Sequence, residues 1–361
     1  MGDIQVKEFI RGGAAYIQNL IDEAKRNGIR EVTVSGNYEI EREIRLPSGT
    51  TLILKDCHLR LADGSYTNIF VNEHHGTEAG KTLAGTDRDI RILGIGEAIL
   101  DGGEYNGLSE KTQNKDGLPP IWKNNFILFT NVDGFEIDGL TLLHQRWWAS
   151  CFVFARNGKI RNINVMASDA AVDENGNIYH GLKQDKYSEI LIKNADGIDL
   201  RCGCNNILIE NVTGFTEDDT VALTGLMWNL EEAVFVPELS TDICNITIKN
   251  IRGSALCALV RLLNQDGIKM HDVTVDGVFD ESLSCPHLDR GAYGVRIGDV
   301  HLYGKKMRPT PEDTYNITVK NLYFEGLYAI NLATSPKNLV LENISTHKDT
   351  VPLRDDRENI T

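Results

Sequence analysis

Asn206-Ile-Leu-Ile-Glu-Asn211, Asn245-Ile-Thr-Ile-Lys-Asn250, Asn316-Ile-Thr-Val-Lys-Asn321 and Asn338-Leu-Val-Leu-Glu-Asn343 repeat one pattern: asparagine, aliphatic, any residue, aliphatic, any residue, asparagine. From Asn316 to Asn338 is 22 residues, and from Asn206 to Asn245 is 39, which reads as nearly two such units. A unit of that size is too short for a pair of helices. It suits one coil of a β-solenoid with about three short strands per turn. The alternating aliphatics would stack inward, and asparagines recurring at turns would bond one another from coil to coil. The expected fold class is therefore all-β: a single-stranded right-handed parallel β-helix.

Working outward, Val132–Leu140, Gly158–Val165 and Glu189–Asn194 are looser copies. Nearer the N-terminus, EVTVSGNYEI (31–40) and TTLILKDCHLRL (50–61) alternate with period two, as half-buried strands do. The one clear helical stripe is 13–28, where Ala14, Ile17, Leu20, Ile21 and Ala24 share a face and Gly28 suits the stop. A solenoid end exposes apolar coil, so this helix is expected to cap it. No Pro-rich or Ser-rich linker divides the chain. The reading is one domain over 1–361: capping helix 13–28, coils over about 30–345, and a C-terminal tail 346–361. Longer excursions are expected at 169–188 and near 278–292.

Composition narrows the partners. Of 361 residues, 41% are hydrophobic and 25% charged, enough for a large core and too apolar for a disordered chain. The net charge of −15, with no basic run to offset it, argues against nucleic acid and anionic membranes. No apolar run reaches the length of a membrane span. The start, MGDIQVKEFIRGG, lacks the apolar core of a secretion signal. A cytoplasmic location is expected for the chain as it stands, and a secreted one if a signal preceded it. The seven cysteines lie mostly in apolar runs and read as small buried hydrophobes. The Asn-x-Ser/Thr sequons, as at Asn211 and Asn245, follow from asparagine turns beside Thr-rich strands.

The densest acidic group is Asn194-Ala-Asp-Gly-Ile-Asp199, followed by Thr216-Glu-Asp-Asp-Thr220. From Asp196 to Asp218 is again 22 residues, so the repeat places these carboxylates on one face of adjacent coils. Crowded carboxylates raise one another's pKa, a cost that a structural protein avoids unless a cation sits among them. A glycosidase needs that crowding: one carboxylic acid keeps its proton for the leaving oxygen while another stays ionised to activate water. Singly, Asp-Gly and Asp-Asp are ordinary turn residues. A calcium site, as a polysaccharide lyase uses, is the other chemical reading.

These motifs resemble those of glycoside hydrolase family 28, the polygalacturonase-like group within the pectin-lyase-like β-helix superfamily. That family carries Asn-Thr-Asp-Gly, Gly-Asp-Asp, Gly-His-Gly and Arg-Ile-Lys in order. Asn194-Ala195-Asp196-Gly197 resembles the first and Glu217-Asp218-Asp219 the second. Gly94–Gly102 and Gln145-Arg-Trp147-Trp148 resemble its earlier coils, so the likeness runs over about 30–345. The resemblance implies Asp218 as general acid, Asp196 and Asp219 as the pair that holds and activates water, and inversion at the anomeric carbon. It implies an oligo- or polysaccharide partner, no metal and no cofactor, in a monomer or small homo-oligomer. Candidate substrate-binding residues are His144, Trp148, Asp199, Arg261, Tyr293 and Arg296.

Two motifs depart from the pattern. Gly-His-Gly is replaced by Gly253-Ser-Ala-Leu-Cys257-Ala-Leu-Val-Arg261, and no histidine lies between His180 and His271. Arg-Ile-Lys becomes Arg296-Ile297-Gly298, with Asp299 next. In the family the Arg/Lys pair grips a uronate carboxylate. Arginine can do so alone and bidentately, yet the lost lysine, Asp299 and the acidic surface favour a neutral sugar. A short or atypical oligosaccharide is therefore expected rather than long pectin. The alternatives are a polysaccharide lyase on the same scaffold and a non-catalytic carbohydrate-binding β-helix.

Overall fold

A computed structural model of the chain describes residues 8–103, 123–145, 147–167, 171–172, 178–179 and 196–359. Two parallel sheets dominate it, one of eleven strands and one of ten, each in chain order. Long strands such as Arg156–Met166, Asn205–Thr216, Ile243–Ala255 and Met270–Asp280 stack in the first sheet. Each is followed by a short strand of the second: Ile198–Arg201, Val221–Gly225, Ala258–Asn264 and Tyr293–Gly298. One long and one short strand make a coil, and the fold is the right-handed parallel β-helix that the repeat predicts.

The repeat pattern explains the stack. Ile207, Ile246, Val273 and Ile317 lie in register and are buried, as are Ile209, Ile248, Val275 and Val319 two residues on. Each such side chain contributes roughly 1.5–3 kcal/mol by leaving water. The flanking asparagines sit in the left-handed backbone region, with φ of 55° at Asn206 and 59° at Asn211. Asparagine tolerates that conformation better than most residues because its short amide bonds locally. The amides also form rows: Asn211 Nδ2 donates to Asn162 at 3.0 Å, and Asn250 Nδ2 donates to Asn211 at 3.1 Å.

The capping helix spans Gly13–Arg26 and buries Ala14, Ile17, Ile21 and Ala24 on the first coil. It sits so close that a Cβ on Gly13 would lie 2.5 Å from the Tyr38 Cβ. Among the described residues, no helix is long and apolar enough to cross a membrane.

The structure revises the sequence reading in several places. The 39 residues from Asn206 to Asn245 span one coil, not two: Asn205–Thr216 pairs directly with Ile243–Ala255. The surplus is an excursion at 226–242 that carries the short helix Asn229–Ala233. A second unforeseen excursion runs over 299–313, between Tyr293–Gly298 and Thr314–Phe324. The coils also continue beyond residue 345, because Val351–Asp355 pairs in parallel with Tyr328–Ala333. The excursion expected near 278–292 starts later, since Val278–Asp280 still belongs to a strand. Most of the one expected at 169–188, and all of Glu189–Asn194, lie outside the described residues.

Candidate active site

The candidate carboxylates share one corner of successive coils, where a long strand turns into a short one. Asp196 precedes Ile198–Arg201, Asp218 and Asp219 lie between Asn205–Thr216 and Val221–Gly225, and Cys257 lies between Ile243–Ala255 and Ala258–Asn264. The register differs by one residue from the expected 22. Ile198 pairs with Val221, so Asp219 rather than Asp218 is the coil equivalent of Asp196. The contacts agree: the Asp219 N–H donates to Asp196 Oδ1 at 3.2 Å, and the Gly197 N–H donates to the Asp219 carbonyl at 2.9 Å. Asn194 and Ala195 lie outside the described residues.

Asp196, Asp199 and Asp219 are buried and Asp218 is half-buried. Burial, helped by the charge of Asp219, pushes the Asp218 carboxyl up to about 7, while Arg261 and a hydrogen bond from Cys257 act the other way. Burial and the carboxylates of Asp199, Asp218 and Asp219 hold the Asp196 carboxyl well above its ordinary range. Burial also raises Asp199, against the opposing charge of Arg201. Asp219 differs in having a cation on it. Arg261 Nη1 reaches its Oδ2 at 3.4 Å, and its Oδ1 is buried with no hydrogen-bond partner. The corner thus sets carboxyls whose burial favours the neutral form beside one paired with an arginine, the kind of contrast that hydrolysis of an acetal uses.

Arg261 and Arg296 face outward from neighbouring coils in direct register, in the same row as Asp199. A cavity of about 80 Å³ lies against this row, lined in part by Trp147, Trp148, Trp228, Tyr303, Asp199 and Arg261. That is room for several water molecules. Both tryptophans at the expected position are buried, Trp147 at 1% exposure and Trp148 at 4%, and both border the cavity. Tyr293 is half-buried, stacks on Tyr328 at 5.7 Å and lies under the Arg296 guanidinium at 5.1 Å. His144 stands apart from this cavity. Its Nδ1 lies 3.0 Å from Asp101 Oδ1, and its backbone takes the left-handed conformation at φ 55°.

Several residues of the site were not foreseen. Cys257 occupies the corner one coil beyond Asp219, and its thiol lies within 4.8 Å of the Asp218 and Asp219 carboxylates. Burial drives that thiol well above its ordinary range, so it is a neutral S–H donor. Trp228 and Tyr303 come from the two unforeseen excursions. Beneath them Arg201 pairs with Glu231 and stacks over the Trp148 ring at 4.4 Å. Among the described residues, two groups have the spacing to hold a cation: Asp218, Asp219 and Cys257, and, away from this corner, Glu73, His74 and Asp87. The first is a poor fit to a hard cation, since its cysteine offers a protonated sulfur.

Solved structures of similar shape agree on the fold. An exopolygalacturonase from Thermotoga maritima is 14% identical, with a TM-score of 0.55 over 92% of this chain and 84% of its own. A polygalacturonase from Erwinia carotovora is 12% identical, with a TM-score of 0.56 over 98% of both chains. A galactohydrolase acting between sulfated galactose and anhydrogalactose units is 14% identical, with a TM-score of 0.61 over 95% of this chain and 86% of its own. No curated protein matches the chain. The sequence profile described as glycosyl hydrolases family 28 matches residues 40–234, from the first coils through Asp196, Asp218 and Asp219 to the wall of the cavity. That match covers more than half of the chain, and the protein belongs to glycosyl hydrolases family 28.

Proposed function

We propose that the protein hydrolyses a glycosidic bond in a pectin-like or related oligosaccharide by direct attack of water, with inversion. Asp218 is the general acid, because its raised carboxyl keeps a proton near neutral pH for the leaving oxygen. Asp219 is the general base: Arg261 lies 3.4 Å from its Oδ2, and its Oδ1, which has no hydrogen-bond partner, can take a proton from water. Asp196, bonded to the Asp219 backbone from the coil before, holds the water from its other side. The observation that carries this reading is the geometry of two carboxylates adjacent in sequence: Arg261 reaches Asp219 at 3.4 Å, while Asp218 faces the Cys257 thiol.

One observation favours a second stereochemical course. Oxygens of Asp218 and Asp219 approach within 4.8 Å, closer than the roughly 6.5–9.5 Å that leaves room for water in most inverting glycosidases. With Asp219 as nucleophile the same site would retain configuration. Inversion is favoured because Arg261 draws on the Asp219 charge, and because retention leaves Asp196 without a role. Proton NMR of the first product decides: the anomer opposite to the substrate is expected, and the same anomer would transfer Asp219 from base to nucleophile.

The acid role also sets the pH dependence. Asp218 titrates at about 7 against an ordinary 3.8, so the stability that its proton contributes is complete below the ordinary value and lost as pH rises through 7. Activity follows in the same direction. Above pH 7, kcat/KM is expected to fall by about tenfold for each pH unit as Asp218 ionises. A pH–rate profile that stays flat well into the alkaline range would remove Asp218 from this role.

A further inference from the structure

Arg261, which lines the cavity, and Arg296, its neighbour in register on the next coil, are already occupied. Arg296 Nη2 donates to Asp299 Oδ1 at 2.8 Å, and Arg261 Nη2 donates to Asp299 Oδ2. The His301 N–H adds a bond to Oδ1 at 3.0 Å, and the Tyr303 hydroxyl donates to Oδ2 at 3.3 Å. The Asp299 side chain is 0% exposed. Arg261 Nη1 lies 3.4 Å from Asp219 Oδ2. Two guanidinium groups therefore answer two carboxylates of the protein itself.

Paired guanidinium groups are a natural receptor for a sugar carboxylate, which each can bind through parallel N–H donors. A uronate arriving here would find those donors engaged. It would also bring a further negative charge beside Asp219 and Asp299, with Asp196, Asp199 and Asp218 nearby. The backbone closes the other route to a cationic subsite. Gly298 has φ +83°, and a Cβ there would lie 2.7 Å from the Ala333 backbone, so a lysine at this position would be strained and clash. Asp299 and Tyr303 are both carried by the 299–313 excursion, so one loop supplies the carboxylate and part of the cavity wall.

We propose that Asp299 is a built-in substitute for a substrate carboxylate, and that the sugar unit bound against Arg261 and Arg296 is a neutral hexose rather than a uronate. This specificity rests on the hydrolase reading above for its place beside the cut bond. The chemistry of recognition is hydroxyl to carboxyl and guanidinium, with the exposed rings of Trp228 and Tyr303 offering apolar surface to the sugar.

The test uses matched oligosaccharide pairs: tetramers of α-1,4-linked galacturonate and of β-1,4-linked glucuronate, and the same tetramers after reduction of every carboxylate to a hydroxymethyl group. Binding to the full chain is measured by calorimetry. At least one reduced tetramer is expected to bind roughly tenfold or more tighter than its uronate parent, the scale set by placing like charges together. Asp299→Asn, which frees the arginines at constant shape, is expected to narrow or reverse that ratio. Asp299→Ala adds a readout independent of sugars: millimolar acetate should raise its melting temperature and leave the wild type unchanged. Tighter binding of the uronates by wild type, an unchanged ratio in Asp299→Asn, no acetate effect in Asp299→Ala, or no binding of any tetramer would each overturn the proposal. Reduced tetramers that bind and are never cleaved would instead overturn the hydrolase reading and leave this inference standing.

Discussion

Asp218→Asn is expected to lower turnover by roughly 10²–10⁴-fold, the scale of a lost general acid. The carboxamide is nearly isosteric and cannot supply the proton that the leaving oxygen needs. Folding should survive. Burial and the neighbouring Asp219 already penalise the charged form of Asp218, so a neutral carboxamide in its place removes no favourable charge. The measurement is kcat on a cleavable oligosaccharide beside a urea denaturation curve. Activity within a few-fold of wild type would remove Asp218 from the chemistry. A protein that failed to fold would show instead that the Cys257 contact to Asp218 is structural.

The largest effect on stability is expected at Glu231. Its side chain is 0% exposed and that of its partner Arg201 is 3% exposed, so Glu231→Gln leaves a buried guanidinium without a counter-charge. Breaking such a pair costs about 3–5 kcal/mol. Two further contacts and the short helix itself tie the pair to the cavity wall. Arg201 stacks on Trp148, the Trp228 N–H donates to Glu231 Oε2 at 3.2 Å, and Glu231 sits in the helix Asn229–Ala233. The loss should therefore reach substrate affinity as well as the unfolding midpoint. Adding Arg201→Met to Glu231→Gln should recover much of the stability, because no unpaired charge then remains. A loss under about 1 kcal/mol in the single variant would mean that Arg201 finds another counter-charge or water.

The coil geometry was legible because it rests on a strict local rule. Alternating aliphatics between asparagines fix which side chains face inward, and a one-residue slip would expose the whole set. Segments obeying no such rule were not legible. The 226–242 excursion carries Leu230, Val234 and Val236, which share a buried cluster with Trp147 and Trp148, so its composition passes for core strand and its length for a coil. The registration of Asp196 with Asp219 depends on how many residues each corner takes, and corners carry no hydrophobic period. The carboxylates stood out as a cluster, yet their different partners follow from burial at the corner and from Arg261, which arrives from the short strand of the next coil. Cys257 gave no signal, since a cysteine in an apolar run is most often plain packing. Asp299 stood out only through its neighbour Gly298.

The asparagine rows also have a direction. Asn206 donates to Asn157, Asn211 to Asn162, Asn250 to Asn211, Asn338 to Asn316 and Asn343 to Asn321, always from the later coil to the earlier. The rows begin on aspartates, which only accept: Asn157 donates to Asp133 and Asn162 to Asp138. A chain emerging from the ribosome meets these groups in the useful order. The helix Gly13–Arg26 and first coil come out together, and each later coil arrives as a donor to acceptors already in place. Synthesis and assembly then run in the same sense, with the growing end always the one still open.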